Sequence, residues 1–153
     1  MVSLLIIWTE CRREADSIRR RIHCFENVQV LVFVAALSEY DQSLWEDSSV
    51  NRLDEATQLF ESLASSRWFA KSSFVLLLNK LDLFKMKLVT SPLSNWQSGY
   101  TGGADLALAT AFMARKFTDL YQRGPGVHRF VLSLLPPSRH LASPLPVSSQ
   151  IEW

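Results

Sequence analysis

Phe74-Val75-Leu76-Leu77-Leu78-Asn79-Lys80-Leu81-Asp82 is the stretch that decides how this chain folds. An unbroken apolar run of that length is what a buried strand requires, and it stops abruptly at a polar cluster. In open α/β sheets, ligands bind in the crevice beyond the carboxyl ends of the strands. Asn79, Lys80 and Asp82 fall in that place. A carboxylate at position 82 can accept two adjacent protons, the ring N1–H and the exocyclic N2–H₂ of guanine. Adenine puts a lone pair where guanine has N1–H, and a site built on polar pairing rejects such a partner by several powers of ten. Asn79 can serve the other base edge with its amide, and the Lys80 stem can lie over base and ribose. The plainer reading is a polar strand end followed by a helix, with Asp82 as its cap.

Upstream, Val28–Leu37 is another continuous apolar, β-branched run and predicts a strand covered on both faces. Glu39, Asp41, Glu46 and Asp47 then make an acidic stretch, which read alone is a solvated loop. Leu53, Ala56, Phe60 and Leu63 recur at steps of three and four and predict a helix, with Ser48 or Ser49 as N-cap. Nearer the start, Leu4–Trp8 has the composition of a short buried strand, and Cys11–Arg21 that of a solvated, mixed-charge helix or loop.

Downstream, Lys85–Thr101 reads as a short helix and loops, punctuated by Pro92 and Gly99. Ala104–Gln122 predicts an amphipathic helix with Leu106, Ala109, Met113, Phe117 and Leu120 inward, ended by Gly124-Pro125-Gly126. Val127–Leu135 is a further strand candidate. From Pro136 the prolines and serines give no period, and the tail reads as disordered. Alternating strands and helices predict an α/β fold, an open and mostly parallel sheet with flanking helices.

Composition narrows the function. Among 153 residues, 48% are hydrophobic and 20% charged, as in a soluble globular protein. Sixteen basic residues against fifteen acidic ones give a net charge of +1 and no nucleic-acid footprint. Cys11 and Cys24 form no C-x-x-C pair and suit a reducing cytosol, with one disulfide still open. No metal site is expected from cysteine and histidine spacing. The apolar opening lacks the basic flank of a signal peptide, Val2 stands where myristoylation needs glycine, and no transmembrane segment is expected.

Three stretches resemble the GTPase domain of heterotrimeric G-protein α subunits. Ile22-His23-Cys24-Phe25-Glu26-Asn27-Val28 is similar to the end of that family's second switch and the strand after it. Ala36-Leu37-Ser38-Glu39-Tyr40-Asp41-Gln42, with Glu46-Asp47 and Asn51-Arg52-Leu53, is similar to its third switch and the following helix. Trp68-Phe69, the strand, and Asn79-Lys80-Leu81-Asp82-Leu83-Phe84 complete the order, followed by Ser91-Pro92-Leu93 and Tyr100-Thr101-Gly102. The likeness covers roughly Arg19 to Arg123, in the C-terminal half of that domain.

The resemblance implies a partial P-loop NTPase fold of the Ras-like kind. It implies Asn79, Lys80 and Asp82 as guanine contacts, and Ile22, Cys24, Phe25 and Glu26 as contacts to the βγ dimer. Ile22 and Phe25 also suit plain core packing. Arg21 departs from the family, which has a tryptophan there. The implied ligand is GTP or GDP with Mg²⁺. The implied role is a GTP-hydrolysing transducer for membrane receptors, cytoplasmic or held at the inner face of the plasma membrane by its partners.

The departures are large. No G-x-x-x-x-G-K-S/T occurs, and there are only five glycines. Such a loop cradles phosphates with backbone N–H groups. The first switch, with its magnesium-binding threonine, has no counterpart. Aligned from Ile22 without gaps, Glu14 replaces the glutamine that orients water, and an anion there would repel phosphate. After Phe130 the family pattern is lost, as a shifted reading frame or misplaced splice boundary would produce. Hydrolysis is therefore left open, and the alternatives are a non-catalytic βγ-binding module or a non-functional truncated product. The expected organisation is a divergent segment 1–21, a partial GTPase domain 22–135 and a disordered tail 136–153. Without the family's neighbouring strands, the Val28–Leu37 strand is expected to present an exposed apolar edge.

Overall fold

A computed structural model describes residues 3–8, 20, 27–122 and 130–134, with Trp8, Phe130 and Leu132 described in backbone only. The apolar runs become four strands: β1 (Leu4–Trp8), β2 (Val30–Ala36), β3 (Ser73–Asn79) and β4 (Phe130–Leu134). They form one sheet in the order β1-β2-β3-β4, with every neighbouring pair parallel. Among the described residues, α1 (Arg52–Ala64) lies between β2 and β3, and α2 (Leu81–Thr90) and α3 (Leu106–Gln122) lie between β3 and β4. Short 3-10 turns lie at Leu37–Glu39, Arg67–Phe69 and Leu93–Asn95.

The expected edge on β2 is not there. β1 pairs with β2 in register, Ile7 opposite Phe33, so β2 is an interior strand and β1 takes the edge. The reason is chemical: Leu4–Trp8 is itself apolar and extended, and it satisfies the β2 backbone that would otherwise lie open.

One sheet face holds the core. Phe33 of β2 and Phe74 of β3 lie on it with Phe60 from α1 and Phe117 from α3. Phe60 meets Phe33 at 5.1 Å, Phe117 at 5.3 Å and Phe74 at 6.1 Å between ring centres, each edge-on. Edge-on rings put the positive rim of one against the negative face of another. The inward helix faces match their periodicity: Leu53, Ala56, Phe60 and Leu63 are buried, as are Ala109, Met113 and Phe117, while Leu106 and Leu120 are partly buried.

The other face is less covered than an unbroken apolar run predicts. Burial along β3 alternates, with Phe74, Leu76 and Leu78 buried and Val75 and Leu77 half-buried. Ile6, Val32, Val75 and Val131 are in register across all four strands on this face. Ile6 and Val131, at the two ends of that row, are about half exposed.

The cap of α1 also differs from expectation. Asn51, not Ser48 or Ser49, accepts from the backbone N–H groups of Leu53 and Asp54. Cys11–Arg19, Ile22–Glu26, Gly124–Gly126 and the tail from Pro136 lie outside the described residues.

Candidate guanine-reading site

β3 ends where its side chains turn from apolar to polar. Asn79 Oδ1 accepts from the Lys80 backbone N–H at 2.8 Å, and Lys80 takes a left-handed conformation with φ 60° and ψ 38°. A non-glycine residue in that region costs about 1–2 kcal/mol. The turn redirects the chain so that α2 begins at Leu81. Strand, sharp turn and helix therefore place all three expected base-contacting residues at the carboxyl end of an interior strand.

Asp82 does not cap the helix. Lys80 occupies the N-cap position, without a side-chain cap bond, and Asp82 stands in the first turn of α2. A carboxylate there is favoured by the partial positive charge of the helix start. Its side chain is exposed, and it has no hydrogen-bond or ion-pair partner among the described residues.

Lys80 is committed. Its Nζ lies 3.3 Å from Glu39 Oε1, on the 3-10 turn that follows β2. Glu39 is only 5% exposed, and its other oxygen is 3.5 Å from Arg52 Nε at the start of α1. A buried carboxylate needs such partners. Lys87, on α2, donates to Asp41 and to the Ser38 carbonyl. Tyr40 is fully buried, stacks edge-on against Phe84 at 5.4 Å and donates its hydroxyl to the Ser91 carbonyl. Burial pushes the Tyr40 phenol above its ordinary range; the Ser91 bond opposes this, and the neighbouring Asp41 charge adds to it.

The four acids of the expected third switch thus separate. Glu39 and Asp41 are tied to lysines, Asp47 accepts from Ser49 within its own turn, and Glu46 is exposed. A cleft of about 500 Å³ opens between the 3-10 turn and α2, lined by Glu39, Gln42, Arg52, Lys80, Met86 and Lys87 among others. Sequence reasoning missed Arg52 and Lys87 as partners of the acidic stretch; their only sequence signal is a basic residue on each flanking helix.

Residues 14–135 match the family model described as G-protein alpha subunit. The chain belongs to that family. Over 104 residues it is 52% identical to the guanine nucleotide-binding protein alpha-1 subunit of Mycosarcoma maydis. It is 51% identical to the G-protein complex alpha subunit gpaA of Aspergillus fumigatus, and 50% identical to the guanine nucleotide-binding protein alpha-1 subunit of Neurospora crassa. Each match takes in 68% of this chain and 30% of the relative, so the chain spans about 30% of the length of these alpha subunits. The four-stranded parallel sheet with flanking helices is a partial P-loop NTPase-like α/β fold of this G-protein alpha family.

The fold family implies Mg²⁺, and the described residues do not fit it. No three acidic, histidine or cysteine side chains gather among them, and Glu39 and Asp41 are already neutralised by cations. The expected βγ contacts Ile22, Cys24, Phe25 and Glu26 lie outside the described residues. No helix among the described residues is long and apolar enough to cross a membrane.

Proposed function

We propose that this chain carries the guanine-reading part of a G-protein alpha subunit. Asp82 accepts from guanine N1–H and N2–H₂, the Asn79 amide serves the opposite base edge, and the Lys80 stem forms a wall against base and ribose. The observation that carries the reading is the exposed Asp82 carboxylate, without a partner among the described residues, one turn beyond an interior parallel strand. Names of the relatives support it, since guanine nucleotide binding is what they state.

Chemistry supplies a test. Xanthine keeps N1–H but carries a carbonyl where guanine has N2–H₂. Asp82→Asn offers one acceptor and one donor, so this variant should prefer xanthosine diphosphate to GDP. An Asp82→Asn chain that still prefers GDP would rule the assignment out. Because base contacts act here without a glycine-rich phosphate loop in the sequence, affinity for GTP should be no better than about millimolar, equivalent to about 4 kcal/mol, and micromolar binding in titration calorimetry would contradict this.

The second reading is a non-catalytic module that meets the βγ dimer through Ile22, Cys24, Phe25 and Glu26. The family-like order of residues 22–28 favours it. Capture of βγ that is indifferent to GTP analogues supports this role, whereas nucleotide-sensitive capture supports a switch. Receptor coupling and placement at the inner face of the plasma membrane would follow through those partners.

A further inference from the structure

We propose that Glu39 is a positioning residue for base recognition, pinning the Lys80 side chain across the guanine site before nucleotide arrives. The inference rests on the guanine reading of Asn79, Lys80 and Asp82 and adds a residue outside that motif. Glu39 touches no base; it acts through Lys80.

A lysine that serves as a wall for a ligand carries an entropic cost. A lysine side chain has four freely rotating bonds and loses that freedom when it packs against a ligand. Pinning it in advance moves the cost into folding and leaves more of the contact energy for binding. Lys80 is pinned at both ends. Its backbone is set by the left-handed turn and by the Asn79 cap, and its amine is held at 3.3 Å by Glu39.

The anchor itself is fixed. Glu39 is buried and shared with Arg52 of α1. The 3-10 turn carrying it is clamped to α2 by Tyr40 on Phe84 and Ser91, and by Lys87 on Ser38 and Asp41. A free surface pair would have none of this support. The carboxylate is therefore a fixed post between two helices, with the Lys80 amine 3.3 Å from it.

The test is a double-mutant cycle on the full 153-residue chain, with GDP and ADP titrated against isotope-labelled protein by nuclear magnetic resonance. Glu39→Gln should weaken GDP binding about fivefold in the unaltered background and leave it unchanged in a Lys80→Met background. The preference for GDP over ADP should survive Glu39→Gln, because Asp82 is untouched. Magnetisation transfer from the base to the Lys80 methylenes should fade in Glu39→Gln. If that variant loses its dispersed amide spectrum, Glu39→Asp carries the same cycle, its shorter carboxylate drawing back from the lysine amine. Equal weakening in both backgrounds would make Glu39 merely structural and overturn the proposal alone. No discrimination between GDP and ADP in the unaltered chain would overturn the guanine reading and this inference together.

Discussion

Asn51 joins two elements with one side chain: its Nδ2 donates to the Tyr40 carbonyl at 2.6 Å while its Oδ1 caps the first turn of α1. The turn after β2 and the helix that faces it are thereby held in one geometry. Asn51→Ala should lower stability by about 1–2 kcal/mol, from the lost cap and the unpaired carbonyl. Urea denaturation checks this, and an unchanged midpoint would show that the cap is replaceable.

Phe60 is the hub of the aromatic core, fully buried and in edge contact with Phe33, Phe74 and Phe117. Phe60→Ala should cost about 3–5 kcal/mol, a large part of the stability of a domain this size. Phe60→Leu should cost less, since it keeps most of the volume. The same denaturation series ranks the two, and equal losses would place the hub elsewhere.

Asp82→Ala should remove the preference for GDP over ADP while leaving the melting temperature within a few degrees, because the carboxylate is exposed and supports no partner among the described residues. A large drop in melting temperature would mean that Asp82 is a structural residue after all.

Tyr40 predicts an alkaline limit. Its folded-state value is raised by burial and by Asp41, with the Ser91 bond opposing, so the folded chain holds the phenolic proton longer than the unfolded chain does. Stability from this group is intact below about pH 10, the unfolded value, and falls as pH climbs above it. Tyr100 shifts in the same direction, through burial and then Asp105. Tyr40→Phe should flatten the decline without abolishing it, as read from melting temperature between neutral pH and the alkaline range. An identical slope in the variant would remove Tyr40 as a cause.

The row Ile6, Val32, Val75 and Val131 should make the isolated chain self-associate. Its ends are half exposed, and apolar rows beside a strand edge invite pairing with other chains. Ile6→Lys with Val131→Lys should shift light scattering towards monomer. Particle size indifferent to both changes would count against this face.

Much of the fold was legible because its signals are local. Phe74–Leu78 extends as read, and Leu53, Phe60 and Leu63, or Ala109, Met113 and Phe117, show their spacing within a few turns. Asn79, Lys80 and Asp82 were legible as the polar turn between a strand and a helix for the same reason. The partners of Lys80 and Lys87 were not, since Glu39 and Asp41 stand 41 and 46 positions away. Nor was the cap: serine and asparagine are nearly equal in propensity, and the Tyr40 carbonyl supplies a second role for Asn51 alone.

The residues in order determined which segments extend, which coil, and that a carboxylate follows an apolar strand in the pattern of a guanine reader. These depend on side-chain periodicity and on chemistry within a dozen positions. Tertiary structure alone decided that β1 closes the open side of β2, that Glu39 holds Lys80, and that Asp82 has no partner among the described residues. Such neighbours are set by strand order and by how helices cross the sheet, and no short window of sequence encodes either.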